Sequence, residues 1–401
     1  MRGSDWLVVL AVVIAVVWPF ARWAVRVLSA VPRGKRAALA RRALQVAADR
    51  DPPNRVPRDA PPVIAALYGP APAARVVPLD VWHELDGLVA EVREVSDAED
   101  AAFGAAIDVD GSVLMLERGG PVGDSLWIAK PDGVRIAVAE ARAGIILGAS
   151  IDRGRCAWWY AMPERKVAQI RVWDEAHGVA ILGEVRYELD ELADEPYGWL
   201  VVEGDVVVGT LLGGVEGMVV AVRTGLPLVV LGGTRFVTVA RDLAAERRGE
   251  RRVSVSLFGP ETDRADQLTS LDLSVFPPAR TPVRRGGIPG GSVADGEAVI
   301  QWSRPRVLEL PGPLHVPMRD GRAFATDPVF DGEHVAMGLV GIPKRTVATV
   351  LHPATGARTS LPGASHGRVQ IRNGRVMWTE VLPGTSPRYV TRVGALRRPG
   401  G

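Results

Sequence analysis

Apolar and polar residues alternate along the chain in short runs, and tight turns join these runs. In the clearest example, from Ile107 to Leu116, Asp110-Gly111 separates two apolar segments. A pair of this kind favours a type I′ turn, because both central residues of that turn need positive φ. Equivalent turns contain Gly154, Gly204, Gly296, Gly332 and Gly374. The pattern therefore predicts a series of antiparallel β-hairpins.

The turn glycines recur every 36 to 50 residues, apart from one gap of 92 residues between Gly204 and Gly296. This gap has room for two units, and it contains strand-like runs at 235–240 and 252–258. We expect their charged connection, 241–251, to be a loop at the rim. A period of about 40–45 residues with four short strands per unit is typical of β-propeller blades. The sequence predicts an all-β fold, a single β-propeller of about seven blades, with six or eight as alternatives.

A propeller ring has to be closed, and many propellers close by pairing the two ends of the chain within one blade. The strand-like segment 88–95 is the N-terminal candidate for this pairing. Its expected partner is the last blade, at 375–379 or 389–393. Closure removes the exposed strand edges that would otherwise favour aggregation.

Two units show the internal pattern of a blade in full, at 148–185 and 327–362. One contains the pair Trp173-Asp174 at the end of a strand, and the other contains the turn Thr355-Gly356. In these features the chain resembles bacterial WD40-like propellers of the TolB C-terminal type, over about residues 85–395. The resemblance implies a non-catalytic scaffold or binding module, because such propellers most often present surfaces to partners.

The N-terminal 31 residues predict a transmembrane anchor. The stretch from Trp6 to Phe20 carries no charge, and apolar residues resume after Arg22 and Arg26, whose long stems can reach the lipid headgroups. A cleaved signal peptide is the alternative. Basic residues concentrate after the span, which by the positive-inside rule predicts a single-pass protein with a cytoplasmic propeller; an extracytoplasmic propeller is the alternative.

The chain is thus divided into five segments. We predict a transmembrane anchor at 1–31, a basic amphipathic helix at 32–50, a proline-rich linker at 51–79, the β-propeller at 80–396 and a tail at 397–401. The linker contains eight prolines, and such a composition favours a semi-rigid extended chain.

Composition excludes two classes of protein. The net charge of +2 lacks the basic excess of a nucleic-acid-binding protein. Cys156 is the one cysteine, so an internal disulfide is impossible, and we expect it to be a small buried residue beside Trp158.

Several short motifs have structural explanations. The stretch 363–367 matches G-x-S-x-G, but a strand follows it instead of the helix that a nucleophile elbow requires. Asp108–Gly111 lacks the third ligand and flanking helices of a calcium loop, and Pro289 interrupts the basic glycine-rich stretch 284–291. The six histidines show no metal-binding spacing. We therefore identify no catalytic, cofactor-binding or metal-ligating residue.

These observations favour a membrane-tethered, non-catalytic scaffold for protein–protein interaction, and hence no enzyme. Its partners would be the lipid bilayer, through the N-terminal helix, and unidentified proteins, with no nucleic acid. Two alternatives stay open: an extracytoplasmic hydrolase or lyase with its site in the propeller funnel, and a structural component of a cell-envelope or secretion assembly. A funnel lined with clustered acids and a histidine would favour the enzyme.

Overall fold

The structure is a computed structural model. It describes residues 75–76, 82–96, 102–120, 123–189, 196–213, 217–234, 236–258, 267–285, 290–294, 297–301, 307–311, 314–317, 324–340, 346–361, 363–365, 369–382 and 388–398. The predicted transmembrane anchor, amphipathic helix and linker lie outside these residues, apart from the short strand β1 (Arg75–Val76). Among the described residues, no helix is both long and apolar enough to span a membrane.

The described strands form seven sheets, which we call blades 1 to 7 in chain order. Blade 1 has β4 (Ala102–Ile107), β5 (Val113–Gly120), β6 (Gly123–Ala129) and β7 (Arg135–Ala141); blade 2 has β8 (Ile145–Asp152), β9 (Arg155–Met162), β10 (Val167–Asp174) and β11 (Gly178–Arg186). Blade 3 has β12 (Tyr197–Glu203), β13 (Val206–Leu212), β14 (Gly217–Arg223) and β15 (Val229–Thr234); blade 4 has β16 (Phe236–Arg241), β17 (Arg252–Phe258), β18 (Gln267–Asp272) and β19 (Ala279–Arg285).

The last three blades also take strands from the N-terminal side of the chain. Blade 5 has β20 (Gly290–Ala294), β21 (Glu297–Gln301), β22 (Val307–Leu310) and β23 (Leu314–Pro317), with β1 parallel to β23. Blade 6 has β24 (Phe324–Phe330), β25 (Val335–Val340), β26 (Thr346–His352) and β27 (Ala357–Ser360), with β2 (His83–Glu84) parallel to β27. Blade 7 has β28 (Ala364–Ser365), β29 (Gln370–Arg372), β30 (Arg375–Leu382), β31 (Arg388–Leu396) and β3 (Val89–Glu94). The prediction of an all-β propeller is confirmed.

The ring closes between the N-terminal and C-terminal sides of the propeller. Strand β3 pairs antiparallel with β31, with Val89 opposite Leu396 and Glu94 opposite Arg392. Blade 7 in turn packs on β4 of blade 1. The predicted pairing of segment 88–95 with the last blade is therefore confirmed, at the second of its two proposed partners.

Most predicted hairpin turns join the innermost strand of a blade to the next one. Arg153-Gly154 and Asn373-Gly374 both have positive φ at the two positions, as a type I′ turn requires. Blade 4 differs, because a short helix, α1 (Leu243–Arg247), occupies the place of the turn between β16 and β17. The prediction that 241–251 forms a loop at the rim is wrong, since Leu243, Ala244 and Ala245 are buried.

The hydrophobic core lies between neighbouring blades. One cluster joins blades 1 and 2, another joins blades 2 and 3, and a third joins blades 7 and 1 across the closure. Each blade is thus covered on both faces, which explains why β9 reads as a continuous apolar run with Cys156 to Ala161 all buried. Burial raises the pKa of the Cys156 thiol well above its usual range, as expected of an inert core residue.

Candidate active site at the end of the axial channel

The innermost strands of all seven blades surround one cavity of about 250 Å³. Its wall is mostly apolar or backbone, with Phe103 from blade 1, Leu147 from blade 2 and Trp199 from blade 3. Among its polar side chains are Arg241 and Gln370. The cavity is therefore the axial channel of the propeller, and every blade contributes to it.

Charged side chains converge at one end of the innermost strands. Four of them occupy the last residue of an innermost strand, one follows such a strand directly, and one lies in α1. We call this group the axial charged cluster: Asp108, Asp152, Glu203, Arg241, Glu246 and Arg372. It contains four carboxylates and two guanidiniums, and it is almost entirely buried.

Arg372 connects blade 7 to the opposite side of the ring. Its Nη2 donates to Asp152 Oδ1 at 2.5 Å and to Glu246 Oε1 at 2.6 Å, and its Nε donates to the same Glu246 oxygen at 3.2 Å. Its Nη1 donates to the Ile151 carbonyl at 2.7 Å and lies 3.6 Å from Asp108 Oδ1. The side chain is 1% exposed, so all of these interactions are made away from water.

Arg241 binds the neighbouring blades in a similar way but also lines the channel. Its Nε donates to Glu203 Oε2 at 3.1 Å. Its Nη2 donates to the carbonyls of Ile151 and Val202, at 2.7 and 2.6 Å, and to Ser150 Oγ at 3.2 Å. The guanidinium therefore stands between the cavity and the carboxylates of the cluster.

Two of the carboxylates also cap the turn of the next blade. Asp108 accepts from the backbone N–H groups of Arg153 and Gly154, both at 2.7 Å. Asp152 accepts from the N–H of Gly204 at 2.7 Å. These bonds pair backbone donors of the two turns with carboxylates that are themselves buried. Asp108 and Asp152 therefore hold successive blades together.

Helix α1 brings the last carboxylate into the cluster. Asp242 is its N-cap, and the side chain accepts from the Ala245 N–H at 2.9 Å. The apolar residues that follow are buried, which turns Glu246 toward Arg372. In blade 4, α1 takes the place of the tight turn, and Glu246 reaches Arg372 from this helix.

The environments of Asp152 and Glu203 push their pKa values in opposite directions. Burial raises the pKa of Asp152, but Arg241, Arg372 and the Gly204 N–H together outweigh it and hold the pKa below its usual value. Burial raises the pKa of Glu203, and its contact with Arg241 does not offset this effect. A pair of close carboxyl groups with diverging pKa values is the usual arrangement for acid–base chemistry.

The carboxylates of Asp152, Glu203 and Glu246 approach within 4.8 Å of one another, a spacing that a metal ion could bridge. Here the guanidiniums already bind one oxygen of each carboxylate. They also supply the positive charge that a cation would bring. The cluster is therefore better suited to proton transfer than to binding a metal.

The motifs that the sequence analysis set aside have structural roles in the described residues. Ser365 lies in β28 opposite Glu380 of β30. Asp110 accepts from the Ser112 N–H at 2.8 Å, as turn chemistry predicts. The axial charged cluster was missed, since no catalytic residue was predicted. Its signal was a charged residue at the end of several apolar strands, as at Glu203 and Arg372.

No protein-family model and no curated protein matches this sequence. Similar solved structures include an oligogalacturonate lyase in complex with manganese, 12% identical, with a TM-score of 0.50 over 79% of this chain and 96% of that one. A puromycin hydrolase is 13% identical, with a TM-score of 0.46 over 79% of this chain and 55% of that one. The β-propeller domain of the Trilobed protease from Pyrococcus furiosus is 11% identical, with a TM-score of 0.45 over 75% of this chain and 100% of that one. The chain thus spans about half the length of the puromycin hydrolase.

These similarities correct the prediction that the chain is not an enzyme. The oligogalacturonate lyase is an enzyme with a similar propeller, so the fold gives no reason to exclude catalysis. At 11–13% identity the likeness establishes the fold alone. On the architecture of its blades and on these similarities, the chain is a β-propeller protein.

Proposed function

We propose that this protein is a hydrolase or lyase that uses the axial charged cluster for general acid–base catalysis. The observation that carries the proposal is the pair Asp152 and Glu203, two close carboxyl groups with diverging pKa values at the end of a channel. Both reaction classes need a proton delivered to a leaving group or removed from carbon.

The residues divide this work between them. Glu203 is the proton carrier, because its raised pKa keeps a proton available closer to neutral pH. Arg241 lines the cavity and contacts Glu203, so a substrate oxygen bound by its guanidinium would lie next to the carboxyl group. Asp152 stays ionised and holds Arg372, which keeps the positive charge of the cluster in place.

The channel also narrows the class of substrate. A cavity of about 250 Å³ with a mostly apolar wall admits a small molecule or the end of a chain, but no folded protein. The guanidinium of Arg241 favours a substrate with a carboxylate or carbonyl oxygen near the bond to be cleaved. Oligouronates and acylated peptide ends both satisfy these requirements.

The proposal is tested with four probes: an aryl ester, an aryl glycoside, an N-acyl peptide anilide and an oligogalacturonate. We expect turnover of at least one of them, and a fall of about 100-fold or more in kcat/KM for Glu203→Gln. Glu164→Gln is the matched control, because Glu164 is exposed in the connection between β9 and β10, at the opposite end of β9 from Asp152. No turnover of any probe by the wild-type protein, or full activity in Glu203→Gln, would contradict the proposal.

We further propose that residues 1–31 tether the propeller to a membrane, with the site in the cytoplasm. The uncharged run from Trp6 to Phe20 and the basic residues that follow it support this placement. Removing residues 1–31 should release the protein from the membrane fraction. A truncated protein that still sediments with membranes would argue against the tether.

A further inference from the structure

A second group of side chains with metal-binding chemistry lies in blade 6. Glu333 and His334 lie in the connection between β24 and β25, and His352 is the last residue of β26. Because these strands are antiparallel, both segments come to the same end of the blade. Potential ligand atoms of the three residues lie within 4.8 Å of one another, and the two imidazole centroids are 5.2 Å apart.

The hydrogen bonds of His334 indicate that one of its ring nitrogens carries no proton. Its Nε2 lies 3.3 Å from the carbonyl oxygen of Arg397, which can only accept, so Nε2 carries the proton. In the neutral ring Nδ1 then has a free lone pair. This atom is buried without a hydrogen-bond partner, and the residue is 4% exposed. Its charged neighbour is Asp331 Oδ2, at 3.6 Å.

His352 is oriented in the same manner. Its Nδ1 lies 2.8 Å from Thr355 Oγ1, and that hydroxyl is placed to donate to the His352 carbonyl at 3.4 Å. The hydroxyl therefore accepts from Nδ1–H, which leaves a lone pair on Nε2. Nε2 faces Glu333 Oε1 at 3.5 Å. The unprotonated nitrogen of His334 thus lies near Asp331, and that of His352 lies near Glu333.

An imidazole lone pair that faces a carboxylate is unfavourable unless a positive charge lies between them. Two imidazoles and one carboxylate form a typical ligand set for Zn²⁺, and ligand histidines usually donate their second N–H to a carbonyl or another oxygen. Arg397 and Thr355 supply those oxygens. We propose that Glu333, His334 and His352 bind one divalent transition-metal ion of the Zn²⁺ class, independently of the axial charged cluster.

Glu333 has one competing partner. Arg398 lies 3.0 Å from its Oε1 and 3.1 Å from its Oε2, but the arginine side chain is 78% exposed. It can therefore move into solvent when the carboxylate binds a cation. The ion would join blade 6 to the C-terminal segment that follows β31, through the His334–Arg397 hydrogen bond.

The test uses the full chain with any affinity tag removed, stripped with EDTA and titrated with ZnCl₂ by calorimetry. We expect one ion per chain, and a loss of tenfold or more in affinity in His334→Gln, His352→Gln and Glu333→Gln. His177→Gln is the matched control, because His177 is exposed on blade 2, and it should bind as the wild type does. Glu333 is partly exposed, so Glu333→Gln is the variant least expected to disturb folding.

A second readout separates a metal site from a pair of protonated histidines. Co²⁺ bound in place of Zn²⁺ should give visible d–d absorption, and this absorption should disappear in His352→Gln. The absence of binding, or an affinity unchanged in both Glu333→Gln and His352→Gln, would overturn the proposal. Zn²⁺ binding without a cobalt spectrum that depends on His352 would overturn it as well, since these ligands would then not hold the ion.

Discussion

Substituting Arg372 tests whether the axial charged cluster holds the ring together. Arg372→Met keeps most of the side-chain length but removes the charge and every hydrogen-bond donor. Two carboxylates, Asp152 and Glu246, then lose their guanidinium, and the Ile151 carbonyl loses one of its two donors but keeps Arg241. Asp152 retains the Gly204 N–H and Arg241 as a charged neighbour. The variant therefore leaves buried negative charge that is only partly compensated.

The expected magnitude follows from this burial. Removing one member of a buried ion pair costs about 3–5 kcal/mol, because the other charge stays away from water. A typical domain has a free energy of unfolding of about 5–15 kcal/mol, so the variant should lose a large part of its stability. Arg142→Met is the matched control: its partner Glu140 is 3.0 Å away, but both side chains are well exposed. Such a surface pair contributes about 0–1 kcal/mol.

Urea unfolding followed by tryptophan fluorescence measures the difference, since Trp158, Trp159 and Trp378 are fully buried in the core. We expect a much lower urea midpoint for Arg372→Met and nearly the wild-type midpoint for Arg142→Met. In the double variant Asp152→Asn/Arg372→Met, the loss should be smaller than the sum of the two single losses, because one unpaired charge is removed. If Arg372→Met lowers the free energy of unfolding by less than about 1 kcal/mol, the cluster does not hold the blades of the ring together.

Three further predictions concern pH, the thiol and ring closure. Folding raises the pKa of Glu203 above its ordinary value of 4.5, so the wild type should lose stability as pH rises from about 4.5 through the folded pKa. Glu203→Gln should lack this loss of stability. An identical pH dependence of the urea midpoint in both proteins would contradict the prediction. Cys156 is 0% exposed, so Ellman's reagent should label it in urea but not in the native protein, and native labelling would show that the core opens. Deleting residues 80–96 removes β3 from blade 7 and β2 from blade 6, and it reopens the ring. It should therefore lower the melting temperature far more than the lost burial of two short strands would, and an unchanged melting transition would contradict this.

The sequence by itself determined the strands, their turns and the closure of the ring. These features are local or periodic: a type I′ turn depends on two adjacent residues, as at Asn373-Gly374, and a strand depends on its own run of apolar residues. The pair Trp173-Asp174, predicted to lie at the end of a strand, ends β10 in the structure. Repetition of one unit along the chain then predicted the propeller, because each blade needs a neighbour on both faces.

Only the tertiary structure decided which charged residues meet. Arg372 and Asp152 are 220 positions apart in the chain and come together because both end an innermost strand of the same ring. Glu246 joins them only because α1 is folded inward, whereas its charged sequence is equally compatible with an exposed loop. In blade 6, likewise, the spacing of His334 and His352 shows no metal motif, and antiparallel pairing brings them together. Contacts across a ring depend on how many blades close it and on which end of each strand faces the axis, and neither is recorded in any local stretch of sequence.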